Sequence, residues 1–101
     1  MEQFERERFR GVIGSNFTLT AADDVNAELV LTEVRDLREN SYSVAFSVVF
    51  LAPENFIVPQ GLYDMEHSGL GKLQLLLVPI GQDDGRLRLE AVFNLLIQKK
   101  S

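Results

Sequence analysis

An imidazole is the side chain best suited to moving protons at neutral pH, and this chain has one, His67. It closes the stretch Tyr63-Asp64-Met65-Glu66-His67, so carboxylates stand one and three residues before it. A carboxylate beside an imidazole is the raw material of general-base chemistry. The spacing speaks against that use here. Alternation along a strand sends Glu66 and His67 to opposite faces, and Asp64 goes with Glu66. No serine, cysteine or second histidine stands in a recognisable nucleophile arrangement with it. No catalytic residue is therefore assigned, and the chain is read as not an enzyme. His67 is expected at a hairpin shoulder, bonded to a backbone carbonyl or to the turn.

Other candidates fail on chemistry. Asp83-Asp84-Gly85 has the look of half a calcium loop, but the alternating ligands and bidentate glutamate are missing. Asp23-Asp24 fares the same, and both are read as turns. Gly11-Val12-Ile13-Gly14-Ser15 follows a helical stretch, whereas a phosphate cradle opens one. With no cysteine there is no thiolate nucleophile, disulfide or cysteine-based zinc site. No metal or cofactor is predicted.

Behind these residues stands one domain, residues 1–101, with 46% hydrophobic and 25% charged residues, a globular balance. Residues 1–14 read as a helix with Met1, Phe4, Phe9, Val12 and Ile13 on one broad face. Glu2 with Arg6, Glu5 with Arg8 and Glu7 with Arg10 are spaced to pair on the other. This helix is expected to lid the core or one barrel end.

From residue 16 to 98 the period is two. Strands are predicted at 16–20, 26–37, 42–51, 62–67, 72–80 and from 86 onward. A one-residue slip at Thr32-Glu33 predicts a β-bulge. Tyr42, Val44, Phe46, Val48 and Phe50 share a core face, opposite small residues at 43, 45 and 47 that the N-terminal helix or another subunit is expected to cover. Ala52–Pro59 reads as a loop, and Pro79 as the end of its ladder. The fold expected is mainly β: a six-stranded antiparallel small barrel or sandwich with one N-terminal helix.

Pro59-Gln60-Gly61-Leu62-Tyr63, Glu66-His67, Leu70-Gly71, Leu75 to Gly81 and Glu90-Ala91-Val92-Phe93-Asn94 form a pattern. Phe9, Gly14, Phe17, Leu19, Glu33-Val34 and Phe46 extend it over nearly the whole chain. The pattern resembles a bacterial family of uncharacterised small domains, DUF6916. Leu89 departs from it, at a position where that family's pattern has tyrosine. The resemblance implies no known activity and hints only at company with phage-tail collar-type proteins.

The last strand supplies the best lead to function. Arg86, Arg88, Glu90, Val92, Asn94 and Leu96 share its outward face, and Val92 and Leu96 are apolar there. Together with Val49 and Leu51 they are the candidate protein interface. The expected function is a non-enzymatic structural or protein-interaction module that self-associates or docks on a larger assembly. The alternative is a small apolar ligand pocket lined by Tyr42, Phe46, Tyr63, Met65 and Phe93. The formal charge of −5, with lysine only at 72, 99 and 100, argues against nucleic acid. Glutamates on the helix argue against a membrane surface. The opening residues lack a signal-peptide core, which predicts a cytoplasmic protein or one assembled into a particle without such a signal.

Overall fold

The computed structural model describes residues 2–20 and 26–96, without the side chains of 2–5, 95 and 96. The turn expected at Asp23-Asp24, the predicted strand beyond residue 96 and the side chain of Leu96 lie outside the described residues. The elements are α1 (Glu2–Arg10), β1 (Asn16–Thr20), β2 (Asn26–Glu39), β3 (Ser43–Glu54), β4 (Gly61–His67), β5 (Gly71–Asp83) and β6 (Arg86–Leu96). All strand pairs are antiparallel, and the sheet closes in the order β1-β2-β3-β6-β5-β4. Two three-stranded meanders thus meet along β1–β4 and β3–β6. Among the described residues no helix is long and apolar enough to cross a membrane.

Alternate residues fill the ring. Phe17 and Leu19, Leu29 and Leu31, Val44 to Phe50 by twos, Leu77, and Leu89 are sealed from solvent. The predicted bulge is present, a register shift between Leu31 and Glu33, and a second lies between Asp36 and Arg38. Between β5 and β6, Asp84 and Gly85 both take positive φ, 58° and 80°, as a two-residue type I′ hairpin requires.

Two of the three prolines, Pro53 and Pro79, lie inside strands and correct the expected strand ends. β3 runs through Pro53 to Glu54, and β5 runs through Pro79 to Asp83. Each proline sits at a register shift against β6, Leu51/Glu54 and Pro79/Gly81. A bulge is where a strand tolerates a missing N–H, so the ladder is interrupted rather than ended. Tyr42 also differs from expectation. It precedes β3 and is 63% exposed, because Asn40 Oδ1 accepts from the amides of Tyr42 and Ser43 and turns the chain there.

Helix α1 stops at Arg10, and the chain turns through Gly14 at φ 95°. Phe9 is buried over the barrel end, where its ring meets Phe17, Phe46 and Phe93. Arg10 bonds Glu7 at 2.7 Å, as the spacing predicts. Arg6 does not join the solvated face. It is buried beside Phe9, and its guanidinium donates to Asp36 and Glu39 of β2. The bulges of β2 carry those acids to the barrel rim, where a long cationic side chain reaches them along an apolar path.

Candidate functional site

The hairpin β4–β5 places His67 at its shoulder, 6% exposed, with its ring 4.5 Å from that of Phe17. The backbone N–H groups of Gly69 and Leu70 both donate to its Nδ1, at 2.9 and 3.1 Å. Two donors on one nitrogen leave it no proton, which assigns the ring N–H to Nε2. Nε2 lies 2.8 Å from Ser15 Oγ, and that hydroxyl donates to the Val12 carbonyl at 2.6 Å. The proton order is therefore His67 to Ser15 to Val12.

A serine beside a histidine invites the idea of a nucleophile and its base, but the polarity here is reversed. The base nitrogen would have to accept from the serine; instead the serine accepts from it. The position an orienting carboxylate would occupy is filled by two amides. The tight turn makes this possible, since a Cβ at Gly69 would stand 3.3 Å from the ring's Cε1. The hairpin position of His67 is legible in the sequence, but its partner Ser15 is not. It lies 52 residues away, and no local pattern marks it.

The outward face of β3 is small, and the structure shows what lies over it. Ser43, Ala45, Ser47 and Val49 are all buried, under side chains from the flanking strands β2 and β6 of the same chain. Ser47 donates to Glu90 at 2.8 Å, and Arg35 reaches the same carboxylate at 3.6 Å. Arg35 also bonds Glu33 at 2.8 Å, and Arg88 stands 3.8 Å from Glu33. Arg38 spans Ser43 and Asn94, and Arg86 donates to the Ala52 carbonyl. Small residues below and long ion-paired residues above make a closed layer within one chain.

The sequence-predicted interface divides accordingly. Arg86, Arg88, Glu90 and Asn94 are engaged in this lattice, Val49 is sealed beneath it, and Leu51 is half-buried. Val92 stands clear of it, half exposed on β6. Beside it the outward face of β4 and β5 carries Leu62 and Leu76, directly opposite each other across the ladder and both more than half exposed. Their two-residue spacing in phase with Asp64 and Glu66 on β4 and with Lys72 and Gln74 on β5 is the signal the sequence carries.

The five pocket residues are not gathered round one space. Phe46 and Phe93 stack at 4.7 Å, and Met65 is packed in the core. Tyr63 donates its hydroxyl to the Pro59 carbonyl, and Tyr42 is outside. An open groove of about 530 Å3 lies instead on the β1–β4–β5 surface. It is lined by Thr20, Asp64, Glu66, Lys72 and Gln74, with Met65 and Leu73. Among the described residues no group of three histidine or acidic side chains is placed to hold a metal ion.

Comparison with known families gives a match over residues 4–93 to a Domain of unknown function, DUF6916. The chain belongs to that family. No curated protein and no solved structure matches it. The matched span begins within α1, takes in β1 to β5 and His67, and stops short of the end of β6.

One electrostatic consequence of the lattice in this DUF6916 domain is testable. The Arg35 guanidinium bonded to Glu33 holds its carboxyl below the ordinary 4.5, against a smaller opposing effect of burial. A depressed carboxylate stabilises the fold above that ordinary value and loses its effect as pH falls through the folded-state value. Glu33 is 44% exposed, so solvent reduces the effect to a few tenths of a kcal/mol. Urea titrations of Glu33→Gln should therefore show a small deficit at pH 6 that disappears in acid, below the ordinary carboxyl value.

Proposed function

We propose that this DUF6916 domain is a non-enzymatic interaction module that self-associates, or docks on a larger assembly, through the outward face of β4, β5 and β6. The observation that carries the reading is the exposure of Leu62, Leu76 and Val92, at 61%, 53% and 51%, on three neighbouring strands. Covering three half-exposed side chains contributes about 3 kcal/mol. Association costs at least about 4 kcal/mol. The contact therefore extends beyond the apolar strip to the polar side chains of the same face, which set specificity. The locked orientation of His67 and Ser15 supports the non-enzymatic half of the reading.

Size-exclusion chromatography with light scattering tests it. The chain is expected to run above its 11.4 kDa monomer mass, increasingly so with concentration. The double variant Leu76→Glu, Val92→Glu is expected to return to the monomer with an unchanged circular dichroism spectrum. A wild-type mass fixed at the monomer value at every concentration removes self-association.

A further inference from the structure

The way α1 is attached differs from the way every strand is attached. Gly14 and Ser15 are stitched to the barrel by backbone: Gly14 N–H donates to the Leu31 carbonyl at 2.8 Å, and Leu31 N–H to that of Ser15 at 3.1 Å. Just before them the pattern changes. The amides of Gly11, Val12 and Ile13 turn back onto Glu7, Phe9 and Arg10. The helix is then held by side chains, through Phe9 on the aromatic floor and through Arg6 and Arg10 on Asp36 and Glu39. Arg6 Nε is buried without a hydrogen bond among the described residues, with the Glu7 carboxylate 3.9 Å away. Gly14, at φ 95°, is the first residue of the stitched segment, so the backbone tie to the barrel begins where the side-chain-held helix and its turn end.

The barrel end is thus a receptor with a floor of Phe17, Phe46 and Phe93 and an acidic rim of Asp36 and Glu39. Its complement is a short helix that offers one large aromatic ring flanked by guanidinium groups three residues before and one after. We propose that this end accepts the α1 segment of a second copy of the chain, by exchange of helices between two barrels. Every copy carries the required Arg6-x-x-Phe9-Arg10 spacing, and the charges match by construction. In the closed monomer the chain's own α1 competes as a tethered ligand at millimolar effective concentration, which keeps exchange low until that contact is weakened. This site lies at the barrel end, apart from the outward strip of Leu62, Leu76 and Val92.

The test uses a fluorescent peptide of residues 1–14 titrated against the full-length chain, with anisotropy as the readout. A Phe9→Ala chain, verified as folded by circular dichroism, is expected to bind the peptide saturably and about tenfold more tightly than the wild type, whose mouth is occupied. Arg6→Glu with Arg10→Glu in the peptide should weaken binding at least about tenfold, as should raising salt from about 0.05 to 0.5 M. Should Phe9→Ala fail to fold, the Arg6→Gln, Arg10→Gln chain replaces it, since it keeps the core ring. Leu76→Glu with Val92→Glu, added to the acceptor, is expected to leave binding unchanged, which separates this site from the outer face. Absence of saturable binding to a folded acceptor, or equal affinity for the charge-reversed peptide, overturns the proposal.

Discussion

Alanine at position 46 is expected to cost the fold about 3–5 kcal/mol, read from urea or thermal unfolding. Phe46 has no exposed surface, stacks on Phe93 at 4.7 Å with rings 9° from parallel, and tilts against Phe9 at 6.4 Å. Truncation loses the transfer energy of the ring and leaves a gap. The neighbours are poorly placed to collapse into it: Phe93 is fixed on β6 by the β3–β6 ladder, and α1 by its arginines on β2. Stacked rings add about 0.5–1.5 kcal/mol beyond their buried area. A domain of this size has about 5–15 kcal/mol to lose, and each kcal/mol moves the midpoint by about 4–8 °C. Phe46→Leu, which keeps most of the volume, is expected to lose less than half as much. An alanine cost under about 1.5 kcal/mol would mean that the mouth closes on the gap, and that Phe9 seals nothing rigid.

The residues that made the barrel readable are those whose role is local. Alternation at 44, 46, 48 and 50 needs no knowledge of partners, and neither does the slip at Thr32. Arg6 shows where that kind of reading stops. On a helix wheel it sits with the charges, but its partners Asp36 and Glu39 are at least 30 residues away, beyond the first bulge of β2. Pro53 and Pro79 fail for a related reason. A proline reads as a strand end unless the register of its partner is known, and the shift that accommodates it is written in β6.

The outer face carries the same lesson toward function. Val92 and Glu90 are two residues apart and read as one surface in the sequence, but a carboxylate that accepts from the buried Ser47 belongs to the fold before it belongs to any partner. Val49 could be assigned to an interface from its outward phase alone; the lattice of Glu33, Arg35, Glu90 and Arg88 that hides it depends on which strands flank β3. Leu62, Leu76 and Val92 stay exposed because their stretch of β4, β5 and β6 has no such canopy.

His67→Leu is expected to cost about 2–4 kcal/mol, although leucine fills nearly the same space against Phe17. Packing is largely kept, so the loss reports hydrogen bonds. The amides of Gly69 and Leu70 lose their acceptor, and a donor without a partner costs about 1–3 kcal/mol where water is excluded. Leu70 is half-buried and Gly69 exposed, so the two do not count equally. Ser15 loses its donor as well, and with it the link between the segment after α1 and the hairpin. His67→Gln offers a carbonyl oxygen to one of the two amides and should recover part of the loss. A double-mutant cycle with Ser15→Ala isolates the 2.8 Å contact, with a coupling of about 0.5–1.5 kcal/mol. Amide exchange at Gly69 and Leu70 should accelerate in His67→Leu and stay nearly native in Ser15→Ala, because only the first removes their acceptor. A leucine variant within about 0.5 kcal/mol of wild type would show that the imidazole is not what holds this hairpin to the helix linker, and the question of a chemical role for His67 would reopen.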